Sequence, residues 1–463
     1  MDSLLFSRDE FSGPSPGEVA GQTASEDALE PLNPVGKPRL RVPHRKQVEM
    51  RWASLDEMLE PGHPARAVWA AVAALDLNRW LGEIKAVEGQ CGRDATDPRL
   101  LAALWIYATL NAIASARELD RLCEKHLACQ WLCGGVTVNY HLLADFRSQG
   151  GEKWDGLLTQ IVAGLTAEGL VTMQRVAQDG MRVRASAGSA SFRRRKRLEQ
   201  FYEEARQQVE TLKRLAEEDP EELSQRQRAA QQRAAEEREK RLKAAIRNCE
   251  QLQEQREKTA KKSGRRPSEA RASTTDPEAR VMKFPDGGSR PGYNVQFSTD
   301  TPSGIIVGVE VTNAGTDAEQ LPPMLEQIEE RYEVTPKEAL VDGGFASLEA
   351  IEQATEQGCT VYAPLKDEQK QLAQGRDPYA RKAGDTAAVA AWRARMGTAV
   401  AKTIYKWRAQ TAEWVNALCR NRGCRQMPVR GSTKCRTVAV LYAITHNLIQ
   451  ALRLRAKAEA GTS

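Results

Sequence analysis

Long apolar runs are what this chain most clearly lacks. No stretch approaches the ~20 residues that span a bilayer, which excludes a helical membrane protein; with no secretory leader pattern, the expectation is a soluble, cytoplasmic chain. Paired cysteines are missing as well. The nine cysteines, at 91, 123, 129, 133, 249, 359, 419, 424 and 435, contain no CxxC pair. Cys129 and Cys133 have no second pair at finger spacing, so reduced thiols are expected rather than a disulfide framework or a zinc site. Nor does one sign of charge dominate. The net charge is only +5 although 28% of residues are charged, so the overall balance announces no polyanion partner. The basic residues are bunched instead, at Arg193-Arg194-Arg195-Lys196-Arg197, Lys261-Lys262 and Arg265-Arg266. Runs of this kind suit phosphate contacts and equally suit the solvated face of a helix.

What is present organises into blocks. At 463 residues with 41% hydrophobic content, two or three domains are expected. Residues 1–40, rich in Ser, Gly, Pro and Glu, read as a disordered leader. Residues 41–170 read as helical: Ala67, Val68, Ala71, Val72 and Leu75 fall on one helical face, and Asp97-Pro98 and Ser115-Ala-Arg-Glu118 are helix starts. A further helix is expected over Thr137–Arg147. Short helices in succession form a helix-turn-helix unit or plain helical packing; the pattern alone does not choose. Residues 171–179 turn extended and open a second block over 171–455, with a short tail over 456–463. An insertion over 192–262 interrupts it, where Leu198, Phe201, Ala205, Val209 and Leu212 recur at helical spacing and Glu218-Asp219-Pro220 breaks the run. That is the pattern of an antiparallel, coiled-coil-like hairpin with a thin apolar stripe. Strands follow at Tyr293–Phe297 and Gly304–Val311, joined by a turn at Thr301–Gly304. Thr316-Asp-Ala-Glu319 reads as a capping box, with Asp317 part of a helix start. Strands at Ala339–Asp342 and Thr360–Leu365 flank a helix over Ser347–Glu356, and the last helix spans Val438–Arg453.

Within the second block three acids stand out. Asp179 closes the run Val176-Ala177-Gln178-Asp179 before Gly180, and Asp342 closes Ala339-Leu340-Val341-Asp342 before Gly343-Gly344. Each glycine reads as a sharp turn at the sheet edge. Carboxylates at buried strand ends are costly to desolvate unless a cation compensates them, and ligands collect at the carboxyl ends of strands in open α/β sheets. Glu413 lies in a segment that reads as one helix, Tyr405–Arg420. On a regular helical projection it falls opposite the apolar face of Ile404, Thr411, Val415 and Leu418, which leaves Glu349, Glu352 and Glu356 as rivals for the third acid. Ordinary turns and a solvated helix explain each acid taken alone.

Several segments together resemble the DDE transposases of bacterial insertion sequences, in particular the insertion-sequence 1182 group. They are Thr275-Asp-Pro-Glu-Ala-Arg-Val-Met282 with Pro291-Gly-Tyr-Asn-Val-Gln296, Leu340-Val-Asp-Gly-Gly-Phe345, and Tyr405-Lys-Trp-Arg408 with Thr411-Ala-Glu-Trp-Val-Asn416. To these are added Arg430-Gly431, His446-Asn447-Leu448 and the helical stretch Asp94–Arg147. The chain departs from that pattern at Met181, at Gly343-Gly344-Phe345, and in having four residues between Arg408 and Glu413, where Tyr-x2-Arg-x3-Glu signatures have three.

The resemblance implies an α/β RNase H-like catalytic domain, a mixed sheet flanked by helices, preceded by an all-α DNA-binding domain. It implies Asp179, Asp342 and Glu413 as catalytic metal ligands for Mg²⁺ or Mn²⁺, with two ions about 3.5–4 Å apart, Asp179 and Asp342 being shared. Water would release a 3′-OH at the element end, and that hydroxyl would attack target DNA. Arg408, Arg420, Lys366 and Arg193–Arg195 become candidate DNA contacts, and Arg408 or Arg420 an orienter of Glu413. His446 reads as a packed histidine rather than a base. Implied partners are the terminal inverted repeats, target DNA and a second copy in a homodimer, with no membrane and no small-molecule substrate. A nuclease or resolvase without strand transfer, and a non-catalytic DNA-binding relative, are the alternatives.

Overall fold

The computed structural model describes residues 52–89, 94–218, 225–264 and 266–461, with 46, 48 and 50. The expected leader, Cys91, the Asp219-Pro220 break and Arg265 lie outside these residues. From Ala53 onward the chain forms one compact unit. Among the described residues no helix is long and apolar enough to cross a membrane.

The first part of that unit is helical. Helix Pro98–Leu110 starts where expected: the Asp97 carboxylate accepts the Arg99 amide at 2.8 Å, and Pro98 occupies the first turn, where its missing N–H costs nothing. It is buried almost all round, from Leu100 to Thr109, and the other helices wrap it. Trp105 donates its indole N–H to Leu143 O at 2.9 Å, with the Arg147 guanidinium 4.1 Å over its ring. Only half of the expected box at Ser115 forms. Its hydroxyl accepts the Glu118 amide, while the Glu118 carboxylate turns to Arg121. The helix expected over Thr137–Arg147 runs Tyr140–Gln149, capped by Asn139.

A mixed sheet carries the site. Its members are β1 (Arg175–Arg184), β4 (Arg280–Lys283), β5 (Ser289–Asp300), β6 (Ile306–Thr312), β7 (Glu338–Leu340) and β8 (Thr360–Tyr362). A separate two-residue pair, β2 (Phe192–Arg193) and β3 (Ala272–Ser273), closes the base of the insertion. The order is β4-β5-β1-β7-β8, with β6 also on β5. Strand β5 runs antiparallel to β1, and β7 and β8 run parallel to it. β4 and β6 share one edge of β5, pairing with its first and second halves. The hairpin turn sits where expected, with Gly304 at φ +70°, and Asn447 seals β6 through both its amide atoms on Ile306.

Two expectations need correction. Asp179 does not end its strand. β1 continues to Arg184, paired with β5 through Gly180↔Gln296, because Gly180 serves close approach rather than turning. A Cβ there would stand 2.3 Å from Asp317 Oδ1, 2.5 Å from Gln296 Nε2 and 2.8 Å from Asn294 Oδ1. Thr316–Glu319 does not open a helix either. Helix Leu321–Tyr332 begins later, with proline in its first turn and no side-chain cap. Asp317 instead takes the amides of Asn294 (2.6 Å) and Gln296 (2.7 Å) and pairs with Arg182 at 3.1 Å. Charge-assisted bonds to three sheet donors outcompete a cap.

The insertion is a pair of long helices, Arg195–Glu218 and Gln225–Ser263, packed through Leu198, Ala205, Leu242, Ala245 and Cys249 in a small core of their own. The final helix, Ser432–Gly461, is longer than expected at both ends. Its start is held by the motif that resembled a family signature: Asp276 accepts the Gly431 amide at 3.2 Å and Glu278 the Ser432 amide at 2.6 Å. One turn on, Arg436 pairs with Asp155 at 3.1 Å and Glu310 at 3.2 Å, tying this helix to helix Gly151–Ala167 and to β6.

Candidate active site

Strands β1 and β7 pair only as far as Ala177↔Leu340. Two residues further along each chain stand Asp179 and Asp342, where the strands part. The Asp342 carboxylate accepts the Gly344 amide at 2.7 Å, which fixes the turn after β7. The third acid arrives from a segment that is not the continuous helix expected. After helix Ala399–Tyr405 the backbone widens into a π-helical turn over Ala409–Glu413, and an α-helix resumes at Trp414–Asn421. The wide turn absorbs one extra residue. It thereby accommodates the surplus position between Arg408 and Glu413 and rotates Glu413 away from its place on a regular projection.

All three acids meet one guanidinium. Arg408 Nη2 lies 3.0 Å from Asp179 Oδ1 and 3.9 Å from Asp342 Oδ2, and Nη1 lies 2.9 Å from Glu413 Oε1. Asn416, one turn beyond Glu413, donates to Asp179 Oδ2 at 3.0 Å. The rivals go elsewhere: Glu352 accepts the Thr386 hydroxyl, and neither Glu349 nor Glu356 pairs with Arg408. The charge balance is uneven. Burial pushes the Asp179 carboxyl above its ordinary range and the neighbouring Asp342 adds to this, against the pull of Arg408 and Asn416. Burial works against the charge on Arg408, but Asp179, Tyr405, Asp342 and Glu413 more than offset it and hold the guanidinium protonated. Two buried atoms in the cluster have no partner, Asn416 Oδ1 and Arg408 Nε. Among the described residues no three His, Cys, Asp or Glu side chains are already gathered as a metal cage; the guanidinium stands between these carboxylates. By donor chemistry the set still suits a hard cation, with three carboxylates and an orphaned amide oxygen.

The remaining candidates separate. Lys366 lines a cavity of about 650 Å³ that opens beside Gly343. Arg420 lines another, of about 470 Å³, with Arg182, Arg184, Arg290 and Arg425. The basic run is spent locally: Arg194 pairs with Glu269, Arg195 with Glu199 and Glu250, and Arg193 with the Ala190 and Phe192 carbonyls. His446 is buried, its Nε2 2.8 Å from Gly304 O and its ring edge-on to Trp414 at 5.4 Å. A carbonyl only accepts, so Nε2 carries the proton. Burial then depresses the pKa to about 4, as a packed neutral histidine requires. Sequence reasoning missed Asn416 as a partner of Asp179; its spacing of three from Glu413 was the available signal.

Carboxylates delivered by two neighbouring strands and a helix, between cationic cavities, form a donor set suited to phosphoryl-transfer chemistry. Two family models then match the chain: Transposase DDE domain over residues 268–424, and Transposase domain (DUF772) over residues 53–149. The chain belongs to the DDE transposases of bacterial insertion sequences. The first match contains Asp342, Arg408 and Glu413, while Asp179 on β1 precedes it. No curated protein and no solved structure matches the chain.

Proposed function

We propose that this transposase, of the insertion-sequence 1182 group and built on an RNase H-like core, binds the terminal inverted repeats of its element. There it cuts DNA and joins the freed end to target DNA. The convergence of Asp179, Asp342 and Glu413 on one point, from positions scattered over the chain, carries this reading. The sheet order, three parallel strands with an antiparallel meander on one side, supports the RNase H-like assignment.

Asp179, Asp342 and Glu413 would hold Mg²⁺ or Mn²⁺, and such ions supply charge stabilisation for the attacking and leaving oxygens of an in-line displacement. Arg408 bridges the three carboxylates while no substrate is present. Turned outward, its planar guanidinium suits a bidentate grip on a phosphate. Asn416 fixes the Asp179 carboxylate in a single orientation. The helices between Leu55 and Ala167 would provide surface for recognising element ends, and a homodimer would pair two of them. The test is Mg²⁺-dependent nicking and joining of a duplex bearing the element's own end. Wild type is expected to perform both and Asp342→Asn neither; activity surviving in Asp342→Asn would overturn the site assignment. Nicking without joining would favour a nuclease.

A further inference from the structure

The cavity beside Asp342 does more than border the acid cluster. It lies at the carboxyl ends of the parallel strands β7 and β8, and Gly343 and Lys366, which follow those strands, form part of its wall. Four cations face it: Lys366, Lys370, Arg376 and Lys382. None of the four forms an ion pair with a carboxylate among the described residues; Lys382 Nζ donates to Gln371 Oε1 at 3.2 Å and Arg376 to the side chain of Gln374, both neutral partners. The acids on the wall are Glu349 and Asp367. Arg393 is also there, but Asp385 holds it at 2.8 Å and it serves as structure. Helix Leu348–Glu356, nine residues long, points its start into the same space. Ser347 caps the Ala350 amide at 3.1 Å, and the amides of Leu348 and Glu349 have no intrahelical acceptor, so a positive dipole end adds to the four cations.

Unpaired cations around an open cavity are costly to hold together unless an anion joins them. At about 650 Å³ the space accepts a stretch of nucleic-acid backbone rather than a single small ion. The second cationic cavity, with Arg184 and Arg420, lies on the β4, β5 and β1 side of the sheet, while this one lies on the β7 and β8 side. In the sheet order the acids of β1 and β7 fall between them.

We propose that the cavity formed by Lys366, Lys370, Arg376 and Lys382 holds at least two consecutive phosphates of the DNA strand on the Asp342 side of the bond to be cut. It thereby sets which phosphodiester reaches the acid cluster. This rests on the proposed function above, and its test reads binding in EDTA, where no cleavage occurs. A fluorescein-labelled duplex carrying the element's end is titrated by anisotropy at several salt concentrations. Each lost phosphate contact lowers the slope of log K against log salt by about one. The double variant Lys370→Ala/Lys382→Ala is expected to lower it by about two with an unchanged unfolding temperature, and the charge-keeping Lys370→Arg/Lys382→Arg to restore it. Neutral methylphosphonates beside the cut position should weaken binding by wild type and leave the double variant unaffected. A steep wild-type slope that the double variant leaves intact, or methylphosphonates that weaken both proteins equally, overturns the pocket alone. A flat wild-type response overturns the DNA reading itself.

Discussion

The two faces of β1 each carry an aspartate beside an arginine, and they are built to opposite ends. On one face Asp317 meets Arg182 and the amides of Asn294 and Gln296, one carboxylate among three donors. On the other, Asp179 shares the single guanidinium of Arg408 with Asp342 and Glu413. The first site is in charge balance, one carboxylate to one guanidinium, although Asn294 Oδ1 beside it is buried without a partner. The second has an excess of negative charge, an aspartate pushed above its normal pKa and partnerless atoms at Asn416 and Arg408. Burial does not separate the two. Charge balance does, and under the proposed function the excess negative charge is what a metal ion would take up.

Substitution of the acids should divide the two faces most sharply. Asp179→Asn, Asp342→Asn and Glu413→Gln are each expected to lower the rate of end nicking at least about a hundredfold while leaving the fold intact by circular dichroism. Asp317→Asn should do the reverse. It leaves Arg182 without its charge partner and should cost roughly 3 kcal/mol of stability, read from urea unfolding, with nicking per folded molecule retained. An Asp317→Asn protein that is stable and inactive would erase the distinction.

The next largest effect tests the excess charge. Arg408→Ala leaves three carboxylates facing one another, so the metal-free protein should lose stability, and millimolar Mg²⁺ should raise its melting temperature more than it raises that of wild type. Equal shifts would mean that the guanidinium does not stand where a cation is wanted. Gly180→Ala should cost about 1–3 kcal/mol through overpacking against the Asp317 network, because the new Cβ would fall within 2.8 Å of three side-chain atoms there. A neutral Gly180→Ala would show that network to be loose.

The last expected effect is in pH, and it belongs to neither face. His446 has a folded pKa of about 4 against an unfolded value near 6.5. A depressed folded pKa gives stability that is complete above 6.5 and lost as pH falls from there through about 4. The loss amounts to roughly 3 kcal/mol over that window. His446→Gln should flatten this part of the stability profile. Unchanged pH dependence would place the acid sensitivity elsewhere, with buried carboxylates.

Much of the sheet was legible from residues because alternation, turn glycines and capping residues are local signals. Asp97-Pro98, Ser347 and the Thr301–Gly304 turn all act where the chain pattern put them. The failures were non-local. Gly180 looked like a turn because the side chains closing over it come from residues 294, 296 and 317. Asp317 looked like a cap because its Arg182 partner lies 135 positions away. Glu413 looked misdirected because a regular projection assumes 3.6 residues per turn, and the wide turn over Ala409–Glu413 breaks that assumption. The family resemblance pointed to Glu413 despite one residue more than the signature spacing, and the wide turn brings that carboxylate to Arg408 beside Asp179 and Asp342.

One feature of the cluster bears on how the molecule is made. Asn416 grips Asp179 across 237 residues of chain, and the helix that seals β6 and anchors on Asp276 starts only at Ser432, after β1 to β8 have been made. A polypeptide cut short before residue 432 therefore lacks both the seal and the anchor. Copies terminated before that point would yield debris for proteolysis rather than a partly assembled acid cluster.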